Sequence, residues 1–109
     1  NIDFSIKISC LEQKILELPQ GLKTKVLNDG IKLSCGERQR IALARTIYRH
    51  PDISFMDEST SALDSKTEQK IIKNIKENFS QQTIILIAHR KTTIDECDKI
   101  INLEKGQIN

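Results

Sequence analysis

Apolar residues at Ile6, Ile8, Leu11, Ile15, Leu16 and Leu18 follow a roughly helical spacing, which predicts one helix from about Ser5 to Leu18. Pro19-Gln20-Gly21 ends it. Gly21 to Lys32 reads as a loop, with Asn28-Asp29-Gly30 as a turn. Ser34 and Glu37 then have the spacing of a capping box, and the helix they open runs to about Arg49, where Pro51 stops it. Its apolar residues (Ile41, Ala42, Leu43, Ala44, Ile47, Tyr48) lie on several sides, which implies considerable burial. Ile53 to Met56 is a short apolar run of strand length ending in Asp57-Glu58.

Ser65-Lys66-Thr67-Glu68 repeats the capping-box pattern and opens a helix with Ile71, Ile72, Ile75 and Phe79 on one face. Thr83 to Ala88 is a continuous apolar run, the kind of strand a parallel sheet buries on both faces. Thr92 to Glu96 predicts a short helix and Lys99 to Leu103 a third strand. Glu104-Lys105-Gly106 turns the chain toward a last short strand. Alternating strands and helices predict an open α/β layer with a parallel sheet. In such sheets ligands bind beyond the carboxyl ends of the strands. Asp57, Glu58 and His89 all fall just past those ends.

Composition narrows this picture. With aromatics at 4%, the core must be built from Ile and Leu. The net charge of +2 is too small to argue for a nucleic-acid partner. No apolar run approaches the roughly 20 residues of a membrane helix. Cys10, Cys35 and Cys97 are widely spaced, without a CxxC pair, and suit reduced thiols in a cytosolic setting. Asn1 is not an initiator Met, so the 109 residues read as part of a longer chain.

Candidate chemistry lies at four places. Asp57 and Glu58 are adjacent carboxylates whose side chains leave the backbone in different directions. Asp57 could hold Mg2+ through a water, and Glu58 could deprotonate an attacking water. A solvated turn after a strand is the plain alternative. The helix start at Ser34-Cys35-Gly36-Glu37 offers unpaired N–H groups to a phosphate. An ordinary capped helix accounts for the same residues. His89 could donate a hydrogen bond to a terminal phosphate, or be structural. Ser61-Ala62-Leu63-Asp64 reads as a loop leading to a helix cap.

The order of these pieces resembles the ATP-binding cassette (ABC) family. Leu33-Ser34-Cys35-Gly36-Glu37-Arg38-Gln39-Arg40 resembles its signature motif. Met56-Asp57-Glu58 resembles the Walker B strand with its catalytic Glu, Ser61-Ala62-Leu63-Asp64 the D-loop, and Ile87-Ala88-His89-Arg90 the switch His. Leu18-Pro19-Gln20-Gly21-Leu22, followed by Asn28-Asp29-Gly30, is similar to the stretch before the signature in exporter-type members.

The resemblance implies a partial P-loop NTPase-like sheet flanked by helices. Residues 1–109 would be the C-terminal portion of one ATPase domain. Residues 1–50 would hold the end of a helical subdomain and the signature helix, and residues 51–109 the core from Walker B to the switch His. It implies ATP and Mg2+ as cofactors. Asp57 would bind Mg2+, Glu58 would act as base and His89 would contact the γ-phosphate. The signature residues Ser34, Cys35, Gly36 and Glu37 would complete the ATP site of a second module in a head-to-tail dimer. Asp64 would cross that dimer interface, and Arg38 would lie close to it. The partners would be that second module and a transmembrane domain, with no nucleic acid, at the cytoplasmic face of a cell membrane.

The sequence departs from Leu-Ser-Gly-Gly-Gln at Cys35, which crowds the backbone if the position needs φ > 0, and at Glu37. An acid at Glu37 suits the helix dipole and opposes a phosphate, and the sequence leaves that balance open. The chain contains no G-x-x-x-x-G-K-[ST] loop. On its own it is therefore expected to bind ATP poorly and hydrolyse none. A soluble cassette ATPase and a non-catalytic remnant that only dimerises are the competing readings.

Overall fold

The computed structural model describes residues 1–26 and 30–109. Asn28 and Asp29 of the expected turn lie outside them.

The N-terminal apolar run forms two helices rather than one, α1 (Ile2–Ile8) and α2 (Glu12–Glu17). Between them Cys10 takes φ 53°. Its N–H reaches the Lys7 carbonyl, and that of Leu11 reaches Ile6, a Schellman closure built on Cys instead of Gly. Arg40 donates to the Cys10 carbonyl at 2.6 Å and Asn74 to that of Ile8 at 3.3 Å, so two later helices satisfy the helix end. The bend brings both Ile8 and Leu11 into the interior. A single 3-10 turn over Gly21–Lys23 follows.

Helix α3 (Cys35–Tyr48) leads to strand β1 (Ile53–Asp57). Helix α4 (Ser65–Asn78) then crosses back to strand β2 (Thr83–Ile87). The strands pair in parallel, Ile53 opposite Thr83 and Asp57 opposite Ile87, which is the βαβ unit the alternation predicted. Leu43 and Ile47 of α3, Ile71 and Ile75 of α4, and Phe79 just past its end pack on Met56, Ile84 and Leu86, one face of the sheet.

The other face differs from expectation. Ile53, Phe55, Ile85 and Ile87 are between 43% and 76% exposed, so β2 is covered on one side only. Helix α5 spans Lys91–Ile94, slightly earlier than predicted. Of the run Lys99 to Leu103, only Leu103 enters a strand: β3 (Leu103–Glu104) pairs antiparallel with β4 (Gln107–Ile108). Ile100 and Ile101 are more than half exposed, with no neighbouring strand among the described residues to order them.

Candidate functional site

Strands β1 and β2 end side by side, and the chain leaves both at the same rim. Asp57 is the last residue of β1 and lies on the exposed face. Glu58 extends the ladder by one bond, its N–H reaching the Ile87 carbonyl at 3.1 Å. Its backbone then turns left-handed, at φ 47°. A non-glycine residue holds this conformation only where its surroundings fix it. Beyond β2, the Nε2 of His89 stands 2.8 Å from Oε1 of Glu58. Both side chains are at least half exposed. The predicted base and the predicted switch His thus meet in one chain.

The second polar centre is the start of α3. The Ser34 hydroxyl accepts from the Glu37 N–H at 3.1 Å, and the Glu37 carboxylate accepts from the Ser34 N–H at 2.9 Å. Lys14 of α2 stands 3.0 Å from the same carboxylate. The Ser34 N–H, with Lys14 beside it, holds the Glu37 carboxyl below its ordinary value. The acid is therefore ionised, turned back on its own helix and paired. Cys35 occupies the first helical position and is not among the positive-φ residues, so its side chain costs the backbone nothing. Gly36 faces its own chain: a Cβ there would meet the Ala62 carbonyl at 3.0 Å and Leu63 at 3.2 Å. Its missing side chain lets α3 approach the loop after Glu58, a role the sequence reading did not foresee. An open groove of about 310 Å3 runs between this helix start and that loop, lined by Ser34, Cys35, Gly36, Arg40, Asp64 and Thr67 among others.

Asp64 forms the cap of α4. Its carboxylate accepts from the Thr67 N–H at 2.9 Å and from the Thr67 hydroxyl at 2.7 Å, and these bonds hold it below its ordinary pKa. The expected cap was Ser65, one residue later. That shift releases Glu68 from the helix end into the interior, where it is 2% exposed. Glu68 accepts from the Thr60 and Thr93 hydroxyls at 2.6 Å each and from Arg90 at 2.7 Å. Burial pushes its pKa up, but those three donors outweigh it and hold the carboxyl below its ordinary value. Arg90 also donates to the carbonyls of Leu63 and Ser61, at 2.7 and 3.0 Å.

Gln39 was not singled out from sequence either. Its side-chain amide donates to the Glu58 carbonyl at 3.2 Å and to Ser61 Oγ at 3.0 Å, and accepts from the Ala62 N–H at 3.0 Å. Nothing in its spacing distinguishes it from a polar residue on a helix face. The side chain of Arg38, on the same helix, makes no hydrogen bond or ion pair among the described residues; its backbone N–H reaches the Ser34 carbonyl at 3.0 Å.

The donor chemistry fits one hard-cation ligand rather than a complete metal site. Among the described residues no group of three or more His, Cys, Asp or Glu side chains converges. Asp57 offers one exposed carboxylate, as suits a cation held mainly by phosphate and water. The helix start at Ser34, with open space before it, suits a phosphate.

These features define a class: a βαβ layer with an acidic rim and a capped helix facing an open groove, the layout of a nucleotide-handling α/β domain. Similarity to known proteins narrows it. A family model described as ABC transporter matches residues 10–61. The ATM1-type heavy metal exporter of Novosphingobium aromaticivorans is 44% identical over 107 residues, 98% of this chain and 18% of its own. The mitochondrial iron-sulfur clusters transporter ATM1 of Kluyveromyces lactis is 47% identical over 106 residues, 95% of this chain and 15% of its own. A solved structure of a bacterial Atm1-family ABC exporter with ATP bound matches with TM-score 0.89 and 43% identity, over 98% of this chain and 19% of that one. The chain belongs to the ABC transporter family and has, in part, its P-loop NTPase fold. It spans 8% to 18% of the length of the curated relatives it matches. Among the described residues no helix is long and apolar enough to cross a membrane.

Proposed function

We propose that this chain is the hydrolytic and trans-acting part of an exporter's ATPase domain, residues 1–50 supplying the signature helix and residues 51–109 the catalytic rim. The observation that carries this reading is the Glu58–His89 contact at the carboxyl ends of two parallel strands. Glu58 takes a proton from the attacking water, and its fixed backbone aims the carboxylate. His89 donates to that carboxylate while no phosphate is present and turns the same N–H toward the terminal phosphate when one arrives. Asp57 would hold Mg2+ through a water, and the ion would supply charge neutralisation at the phosphates. The Ser34 hydroxyl and the backbone N–H groups of the first turn of α3, that of Gly36 among them, face the γ-phosphate on a second module, with Cys35 and Glu37 at the rim of that contact. Asp64, beside the same groove, lies at the interface between modules.

In this reading the partners are a second module and a membrane-spanning domain, and the site lies on the cytoplasmic side of the membrane. Cargo selection belongs to the membrane-spanning helices. Glu58→Gln in the full-length protein tests the assignment. Loss of a general base lowers turnover by about 100-fold or more, while nucleotide affinity is retained. Turnover close to wild type would refute Glu58 as the base.

A further inference from the structure

The loop from Glu58 to Leu63 is gripped from two sides. Glu68 of α4 holds it at Thr60, and Arg90, at the start of α5, holds it at Ser61 and Leu63. Gln39 holds it from α3, with both faces of one amide engaged. Three facts make the Gln39 grip more than packing. It lands on the carbonyl of Glu58, the residue whose strained backbone needs external support. It rises from the second turn of a helix whose first turn forms the polar groove. The helix and the loop are already in close contact at Gly36, so a shift of one displaces the other.

We infer that Gln39 is a positioning residue for hydrolysis, linking the phosphate-facing start of α3 to the backbone of the base. Because that helix start serves the opposite module while Glu58 serves its own, Gln39 couples the two ATP sites. This rests on the function proposed above. A phosphate seated at Ser34 pulls α3 toward the groove, and the amide carries that movement to Glu58. The coupling element is one rigid helix and two hydrogen-bonded turns, not a long path.

The test uses the full-length protein, with ATP turnover followed against ATP concentration. Gln39→Leu removes all three bonds at similar length. It should lower kcat by roughly tenfold, leave KM within about twofold and bring the Hill coefficient to about one. Gln39→Glu keeps the acceptor for Ala62 but loses the donors while it is ionised. An acid with the ordinary pKa of about 4.3 is ionised throughout the neutral range, so it too should lower kcat while leaving KM within about twofold. A purely structural role lowers stability without this split between kcat and KM and without moving the Hill coefficient. Wild-type kcat and Hill coefficient in Gln39→Leu, with Glu58→Gln inactive, would overturn the inference and leave the proposed function standing. If Gln39→Leu fails to fold, Gln39→Glu decides, and a wild-type kcat and Hill coefficient in that variant overturn the inference. An active Glu58→Gln removes the proposed function and this inference together.

Discussion

Two helices of this chain, α3 and α4, have equal length and begin with the same letters, Ser-x-x-Glu. They use them differently. At α3 the pattern forms the reciprocal cap that it predicts, Ser34 with Glu37. At α4 the helix starts one residue earlier, on Asp64, and its Glu goes to the core instead. The difference lies in what each Glu can reach. Among the described residues, Glu37 pairs with its own helix end and with Lys14. Glu68 has two hydroxyls and a guanidinium around it, and a charged group with three donors is held more strongly than one in a cap. Asp64 then takes over the cap. One helix start is left facing an open groove, while the other is tied into the loop beneath the catalytic rim.

Removing the buried acid is the strongest way to break this contrast. Glu68→Ala leaves Arg90, Thr60 and Thr93 without their shared partner and should cost about 3 kcal/mol in a denaturant titration. The low end of the range for broken buried pairs applies because Arg90 keeps some access to water. Glu68→Gln retains shape and part of the bonding and should cost about 1.5 kcal/mol. The pH dependence has a definite sign. The folded pKa of Glu68 is depressed, so its stabilisation is fully present above the unfolded value of about 4.3 and is lost as pH falls through the lower folded value. Glu68→Gln should flatten that acid limb. An unchanged limb would mean that the carboxylate is not the titrating group.

Much of the architecture was legible because it follows from period and punctuation. The alternation of strand and helix, the Ser34 cap and the acidic rim at Asp57-Glu58 all came directly from residue order. What escaped depended on partners distant in sequence. The break at Cys10 is invisible locally, since no Gly marks it. It is stabilised by Arg40 and Asn74, which lie 30 and more residues away. Glu68 reads as a capping residue until Thr93 and Arg90 are folded against it. Gln39 looks like any exposed helix residue until the Glu58 turn is placed beneath it. The exposed sheet face is a related case. The apolar run of β2 signals two covered faces, and this chain supplies the cover for one.

A smaller effect sharpens the comparison of the two caps. Ser34→Ala removes a working cap and should cost about 1 kcal/mol. Ser65→Ala, at the same place in the same sequence pattern, should change stability by less than about 0.5 kcal/mol, because Asp64 caps that helix. Both are read as shifts in denaturation midpoint at constant slope. Equal costs at the two serines would mean that α4 starts at Ser65 in solution, and the account of Glu68 would fall with it.

The smallest effect concerns how Glu37 sits beside a phosphate-facing helix start without opposing it. Its carboxylate has two claims on it, the Ser34 N–H and Lys14. Lys14→Met keeps the aliphatic stem and removes only the charge. An ion pair with each side chain about one-fifth exposed should contribute no more than about 1 kcal/mol, less than the cap itself, and the loss should shrink as salt rises. It should also vanish in acid, once pH falls through the depressed folded pKa of Glu37, because a neutral carboxyl has no charge to pair. A salt-insensitive loss larger than that of Ser34→Ala would reverse the order of the two claims. Glu37 would then be held outward by Lys14 rather than backward by its own helix. The negative charge would stand in the groove, and the first turn of α3 would be a poorer place for a phosphate than its N–H groups imply.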